Sequence, residues 1–329
     1  PDRMRFGHGQ HSHGRFHNQY ALLMAMGTVE GLRAARPEAR TFVLSRSGFA
    51  GIQRYAANWM GDNMSRWDHL WLSIPMGNGL GISGQAFVGA DVAGFAEDCS
   101  PELLARWMQH GALTPFFRNH AMAGTVDQYA WSFGRTIEGI AREAIQLRYR
   151  LLPYLYASFL RAAETGAPVQ RPLVFDHQWE PQAREVDDQY LLGPDLMVAP
   201  VVEPGVRSRA VYLPAGGWYD WHTGKYLDGG RWVTADAPLE RIPVFARAGA
   251  VIPMLPEALS NGLCSLVEGE DRLALSAFVE IDREGRVHDV AFAETVIRSD
   301  ARLTYDGVQA FAEGGRLPEG KRKLERDVK

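Results

Sequence analysis

Asn58-Trp59-Met60-Gly61-Asp62-Asn63 is the stretch of sequence that decides the fold. It follows a short apolar segment and ends with a carboxylate close to an aromatic ring. Three further segments have the same form, namely Ser45-Arg46-Ser47, Gly89-Ala90-Asp91-Val92-Ala93-Gly94-Phe95 and Phe116-Phe117-Arg118-Asn119-His120. The strands of a (β/α)8 barrel present polar groups at their C-terminal ends in this way. The pattern therefore predicts parallel strands whose carboxyl ends meet at one rim.

The residue types in these segments favour a carbohydrate ligand. Aromatic rings can cover the C–H faces of a sugar, while carboxylates and a guanidinium bind its hydroxyl groups. Asp62 could instead be the N-cap of a helix that begins near Met64, because aspartate is common at that position. Capping alone does not explain Arg46, Asp91 and His120 in the neighbouring segments.

Taken in order, the four segments resemble glycoside hydrolase family 31, and the resemblance covers roughly residues 1–253. It implies the C-terminal half of a (β/α)8 catalytic barrel followed by a β-sandwich. It also implies retaining hydrolysis of α-linked glycosides, in which one carboxylate attacks the anomeric carbon and a second transfers the proton. Two carboxylates and hydroxyl contacts suffice for this reaction, so neither a metal nor another cofactor is implied.

The resemblance also implies roles for individual residues. Asp62 matches the catalytic acid/base. Six further positions match substrate-binding residues: Arg46 and His120 hold sugar hydroxyls, Trp59 and Phe95 form apolar walls, and Asp91 and Arg118 are interpreted as a supporting charge pair. The implied substrate is an α-linked glucose oligosaccharide or another α-glucoside, so the leading prediction is a fragment of a retaining exo-acting α-glucosidase.

Two departures from the family pattern bear on activity. The family's nucleophile lies in an Asp-Met-Asn-Glu-Pro-like segment upstream of the region where this sequence begins, so we expect that this chain alone does not hydrolyse glycosides. Ala93 stands where the family usually has glycine, which tolerates a positive φ or a close backbone approach. Alanine is a small change, and we expect only a modest shift of the loop that carries Asp91.

Length and composition narrow the class of protein. A chain of 329 residues predicts about two domains. Apolar residues make up 46% and charged residues 22%, which is ordinary for a soluble globular protein. The net charge of -4 gives no indication of a nucleic-acid partner for the glycosidase part, and no apolar run is long enough for a membrane span. The cytoplasm is the default location, although the sequence before residue 1 could hold a signal peptide. No oligomeric state is predicted.

Periodicity predicts an α/β region followed by a β region. Helices are expected over 18–36 and after Ser100-Pro101, strands over 41–44 and 114–117, and a long helix over 137–164 with a kink at Pro153. Between residues 169 and 253, short strands broken by proline and glycine indicate an antiparallel β-sandwich, in which 216–220 is expected to be a turn. The predicted domains are 1–168, 169–253 and a short α+β tail over 254–329.

The tail no longer resembles the glycosidase. Residues 255–266 and 296–309 resemble stretches of the ribonuclease R-like exoribonucleases, whose metal-binding aspartates lie upstream of these blocks and are absent here. We therefore expect a fused or misassembled chain, with a junction near Val251-Ile252-Pro253-Met254. A divergent distal domain of the glycosidase is the alternative.

Several alternatives remain open at this stage. Within family 31 the activity could be that of an α-xylosidase or another exo-glycosidase. The chain could also be an inactive sugar-binding remnant, or, on the tail alone, a fragment of an exoribonuclease. His8, His11, His13 and His17 are crowded enough to suggest a metal site, but their spacing fits no zinc pattern, and a loop role is favoured.

Overall fold

The computed structural model describes residues 3–252, 271–282 and 287–298. It divides the chain into two compact units, Pro1–Met254 and Leu255–Lys329. Each unit is described separately below.

The first part of the larger unit alternates strands and helices. Its elements are β1 Arg5–Phe6, β2 His11–Ser12, α1 His13–Phe16, α2 Tyr20–Ala35, β3 Leu44–Ser45, β4 Ala57–Trp59, α3 Trp67–Ile82, β5 Val88–Gly89, β6 Asp91–Val92, α4 Pro101–Ala112, β7 Arg118–Asn119, α5 Arg135–Arg150 and α6 Leu152–Thr165, with 3-10 turns at His17–Gln19 and Ile52–Arg54. This order confirms the predicted α/β class.

Apart from the antiparallel pair β1–β2, the paired strands of this part are parallel. β3 pairs with β4, β4 pairs with β5, and β6 pairs with β7. The backbone N–H of Phe116 donates to the carbonyl of Val88 at 3.1 Å, which joins the two ladders. Since only Ala90 separates β5 from β6, these two segments count as one barrel strand. The carboxyl ends of four successive barrel strands therefore lie side by side, as half of a (β/α)8 barrel requires.

The helix start predicted from Ser100 and Pro101 is confirmed. Ser100 caps α4 by accepting a hydrogen bond from the Leu103 N–H at 3.3 Å, and Pro101 is the first helical residue. The expected kink at Pro153 is wrong in detail. The first helix, α5, ends at Arg150, and Pro153 lies at the start of a separate helix, α6, where its missing N–H costs nothing. Gly166, in the left-handed conformation, ends α6.

The strand expected over 114–117 is displaced to β7, Arg118–Asn119. The guanidinium of Arg148 on α5 donates to the carbonyls of Ala112 at 3.3 Å and Pro115 at 2.7 Å, and also to that of Thr114. These carbonyls are therefore taken by a helix side chain. Burial lowers the pKa of Arg148 to about 10, which leaves it charged at neutral pH.

The second part of the larger unit is antiparallel. Two short helices, α7 Leu173–Asp176 and α8 Pro181–Glu185, lie among β8 Gln170–Arg171, β9 Tyr190–Leu192, β10 Leu196–Val198, β11 Ser208–Leu213, β12 Gly217–Asp220, β13 Tyr226–Asp228, β14 Arg231–Asp236 and β15 Val244–Arg247. One sheet has the order β13-β12-β15-β10-β9-β8, and β11 pairs with β14. A shared core of Met197, Phe245, Val211 and Ala235 lies between them, which confirms the sandwich.

The turn expected over 216–220 is wrong, because β12 occupies most of it. Trp218 is buried, and its strand pairs with β13 on one side and β15 on the other. Only Gly216, at φ 113°, keeps the conformation of a turn residue.

A buried guanidinium joins the barrel part to the sandwich. Arg106 on α4 is 2% exposed and donates to the carbonyls of Val206, Ala237, Pro238 and Arg241 at 2.8–3.1 Å. Burial lowers its pKa to about 10. Four backbone acceptors from the sandwich thereby fix the position of α4.

A buried polar network makes a second junction. His110 on α4 lies 3.1 Å from the Ser73 hydroxyl on α3 and 3.2 Å from the Tyr190 hydroxyl on β9. Burial lowers the pKa of His110 to about 3 and raises that of Tyr190. The imidazole is therefore neutral and links two barrel helices to the sandwich.

In the smaller unit the described residues form one antiparallel hairpin, β16 Asp271–Ile281 and β17 Val287–Arg298, with Leu273 opposite Val296. The blocks at 255–266 and most of 296–309 lie outside the described residues, as does any helix of the expected α+β tail. No helix in the described ranges is long and apolar enough to cross a membrane.

Packing of α3 on the sandwich depends on a glycine. A Cβ on Gly81 would lie 2.5 Å from the carbonyl oxygen of Gln170 in β8. We expect Gly81→Ala to lower the free energy of unfolding by about 2 kcal/mol, as overpacking does. Gly79→Ala is the matched control, because a Cβ there meets nothing within 4 Å. It should raise stability by about 0.5–1 kcal/mol through helix propensity. Urea unfolding measures both, and equal effects would contradict the packing argument.

The buried neutral imidazole predicts a pH dependence of stability. Because the pKa of His110 falls to about 3 in the fold and is about 6.5 when unfolded, the unfolded chain binds more protons between these values. Stability is fully present above pH 6.5 and falls as the pH decreases toward 3, by up to about 1.4 kcal/mol per pH unit. His110→Gln should flatten this slope between pH 6 and 5. Equal slopes in urea unfolding of the two proteins would rule the explanation out.

Candidate active site

Asp62 lies in the loop that follows β4, at the carboxyl end of the parallel strands. Its Oδ2 accepts a hydrogen bond from Nη2 of Arg46 at 3.1 Å, and 46% of its side chain is exposed. Arg46 follows β3, so two neighbouring strand ends bring the pair together. The N-cap interpretation is wrong, because α3 begins at Trp67 and Arg66 occupies the N-cap position.

Asp91 and Arg118 form an ion pair across β6 and β7, where they are register partners. Nε of Arg118 donates to Oδ1 of Asp91 at 3.2 Å, and its Nη2 donates to the same oxygen. Asp91 is fully buried, and its Oδ2 has no hydrogen-bond partner. Burial raises the pKa of the Asp91 carboxyl, and Arg118 opposes that rise.

Aromatic rings lie around these charges. The guanidinium of Arg118 is 5.2 Å from the centroid of the Trp59 ring, within the range of a cation–π contact. Phe95 stacks on His120 with centroids 5.3 Å apart and planes at 27°. The fold thus brings all seven residues singled out from the sequence to the ends of adjacent strands: Asp62 with Arg46, Asp91 with Arg118 and Trp59, and Phe95 with His120.

Asn63 holds two of the site loops together, a role that sequence reasoning missed. Its Nδ2 donates to the carbonyl of Asp91 at 2.9 Å, and its Oδ1 accepts from the N–H of Phe95 at 3.2 Å. The loop that carries Asp62 is therefore fixed to the loop that carries Phe95. The only signal in the sequence was its place beside Asp62 in the deciding stretch.

Ala93, which stands where the family usually has glycine, adopts a backbone conformation that favours glycine. The Gly94 N–H donates to the Asp91 carbonyl at 3.1 Å, which closes a four-residue turn with Ala93 in third place. Ala93 has φ 75°, a value that favours glycine and that the third residue of a type II turn requires. The alanine therefore keeps the turn at a cost of about 1 kcal/mol of backbone strain.

The histidine cluster does not assemble into a metal site in the described part of the chain. Nε2 of His13 lies 2.8 Å from Nδ1 of His17, and His11 lies 3.5 Å from Arg15. No three His, Cys, Asp or Glu side chains among the described residues are placed to hold a metal ion. His13 and His17 instead line a cavity of about 690 Å³ between α2 and β3.

Comparison with known families agrees with this geometry. The model of the glycosyl hydrolases family 31 TIM-barrel domain matches residues 2–158, and that of the family's C-terminal domain matches residues 166–252. The chain belongs to glycoside hydrolase family 31. An RNB domain model matches residues 246–328, the part in which the sequence resembles an exoribonuclease. The two matches overlap at 246–252, next to the junction expected from the sequence.

Named relatives span more than one specificity. Alpha-glucosidase 2 of Bacillus thermoamyloliquefaciens is 45% identical over 243 residues, which is 74% of this chain and 31% of the relative. A Flavobacterium johnsoniae GH31 dextranase complexed with glucose superposes with a TM-score of 0.73 at 30% identity, covering 86% of this chain and 37% of the dextranase. A GH31 alpha-xylosidase from a soil metagenome, complexed with xylose, gives 0.66 at 38% identity, covering 69% and 37%. The chain spans about a third of the length of these relatives.

Close backbone contact at Gly94 yields a prediction about the site. A Cβ there would lie 2.4 Å from the Ser65 backbone nitrogen, and φ is 95°. We expect Gly94→Ala to lower the free energy of unfolding by about 3 kcal/mol, because strain and a backbone clash add.

Gly124→Ala is the control, because Gly124 has φ 93° and open space around its Cα. It should lower the free energy of unfolding by only about 1 kcal/mol, because an alanine there must adopt the left-handed conformation. Urea unfolding compares the two variants. Equal losses would mean that the contact with Ser65 contributes nothing.

Proposed function

We propose that this chain supplies the acid/base half of a retaining α-glucosidase site, with Asp62 as the proton donor and acceptor. The observation that carries the proposal is the position of Asp62, accessible at a strand end and hydrogen-bonded to Arg46. The family membership and the alpha-glucosidase relatives support an α-linked glucoside as substrate.

The remaining groups fit the binding of one glucose unit. His120 and Phe95 present an imidazole and a ring face together, which suits a hydroxyl and an adjacent C–H face. Trp59 is covered on one side by Arg118, whose charge is balanced by Asp91. The wall and the charge pair thus hold each other in place around the proposed sugar site.

Catalysis by double displacement needs a second carboxylate, about 5–5.5 Å from the first. The 329 residues of this chain contain no Asp-Met-Asn-Glu segment of the kind that carries the nucleophile in the family. We therefore expect the 329-residue chain to bind α-glucosides without turning them over. Release of nitrophenol from an aryl α-glucoside by the purified chain would contradict this expectation.

An α-xylosidase is the second candidate, since a solved relative complexed with xylose covers 69% of this chain at 38% identity. The two sugars differ by the exocyclic CH₂OH group. Calorimetric titration with glucose and with xylose separates the two candidates, because a pocket shaped for xylose has no room for that group. If the chain is instead an inactive sugar-binding remnant, it binds a sugar but shows no turnover, either alone or when joined to the upstream half of a relative.

The role of Asp62 can be tested in an active context. Residues 2–252 of this chain would replace the matching residues of the Bacillus thermoamyloliquefaciens relative, whose own upstream half then completes the protein. Asp62→Asn should lower kcat/KM for maltose by about 10²–10⁴-fold, as loss of general acid catalysis does. The loss should be much smaller for α-glucosyl fluoride, because fluoride leaves without protonation.

Asp68→Asn is the matched control. Asp68 is an exposed carboxylate on α3 that is paired with Arg66 at 2.7 Å. It lies six positions after Asp62 in the sequence. Its substitution should leave both substrates within about twofold, like most surface changes. Equal losses for maltose and the fluoride in Asp62→Asn would show that Asp62 does not transfer the proton.

A further inference from the structure

Two exposed aromatic rings lie beside the candidate site without a role in it. Tyr129 and Trp131 are 56% and 61% exposed. Their centroids are 5.2 Å apart and their planes meet at 5°, more nearly parallel than the other ring pairs of the described residues. Unlike exposed apolar residues that are scattered singly, two adjacent exposed rings form a continuous apolar surface that a ligand can cover.

A β-turn builds the pair. The Ser132 N–H donates to the Tyr129 carbonyl at 3.0 Å, which closes the turn from Tyr129 to Ser132 and brings the first and third side chains together. Because each ring restricts the other, a ligand that stacks on them freezes few rotamers. Preorganisation of this kind favours binding.

The turn is fixed to the site loops through Gln128. The buried Gln128 side-chain amide donates to the Gly94 carbonyl at 3.1 Å, and the backbone carbonyl of Gln128 accepts from Asn119 Nδ2 at 2.6 Å. Gly94 and Asn119 directly precede Phe95 and His120. The aromatic pair is therefore held in a constant position next to the residues proposed to bind the glucose unit.

We propose that Tyr129 and Trp131 form an aromatic platform that stacks a further pyranose ring of an α-linked glucan, outside the glucose unit bound at Phe95 and His120. This inference rests on the proposed function. Each ring keeps one face that the other does not cover, and the Tyr129 hydroxyl provides a polar edge for a sugar hydroxyl. The platform would select oligosaccharides over disaccharides or free glucose.

Calorimetric titration of the full 329-residue chain with glucose and with maltotetraose tests the platform. We expect wild type to bind maltotetraose more tightly than glucose. Trp131→Ala should weaken maltotetraose binding about tenfold while changing glucose affinity less than twofold, because aromatic anchors carry much of the binding energy. Trp131→Phe should retain most of the affinity.

Trp179→Ala is the matched control, since Trp179 is 84% exposed and lies between α7 and α8 of the sandwich. It should leave both affinities unchanged. His120→Ala should weaken both ligands, since both place a glucose unit in the same site.

The outcomes separate the two proposals. Glucose binding that depends on His120, combined with no effect of Trp131→Ala on maltotetraose, overturns the platform and leaves the proposed function standing. Absence of binding for both ligands overturns both. Protection of Trp131 from acrylamide quenching in the free wild-type chain would also overturn the platform, because another segment would then cover it.

Discussion

The ion pair between Asp91 and Arg118 is the interaction on which the site depends. Water screens it only weakly, because Asp91 is fully buried, although 27% of the Arg118 side chain is exposed. Burying a charge is favourable only with a close partner, so β6 and β7 must keep their register. Arg118 then lies over Trp59 on β4 and extends the constraint to a third strand. The pair contributes position more than stability, since its desolvation cost offsets much of its attraction.

In the same region, the arrangement of the site loops imposes a strained or very closely packed backbone at two neighbouring residues. Ala93 adopts a left-handed conformation, and Gly94 lies against the backbone of Ser65. Both follow from the need to bring Phe95 within reach of Asn63, whose amide ties the two loops. Strain that persists beside functional groups is maintained by the surrounding contacts. Here those contacts are the Asn63 and Gln128 amides, which hold the loops without blocking the strand ends.

Features set by contacts between neighbouring residues could be predicted from the sequence, whereas features set by contacts between distant residues could not. Ser100 and Pro101 start a helix through contacts within one turn, and their signal was sufficient. The strand ends bearing Arg46, Asp62, Asp91 and Arg118 were recognisable because each apolar segment stops at a polar group. The strand over 114–117 was displaced because Arg148, more than thirty positions away, takes its carbonyls, which no local pattern reveals. Asn63 and Gln128 were missed for the same reason.

Long-range contacts also explain why a sandwich without catalytic groups matters to the site. α3 follows the loop of Asp62 and α4 follows the loop of Asp91, so the positions of these helices set the positions of the loops. Gln170 packs against Gly81 on α3, four sandwich carbonyls hold Arg106 on α4, and His110 links α3, α4 and β9. The first contact is close packing, whereas the contacts of Arg106 and His110 are buried hydrogen bonds, so a shift of either helix would leave polar groups unpaired at high cost. The sandwich therefore acts on the candidate site through the backs of the helices, by fixing where the two strand ends lie.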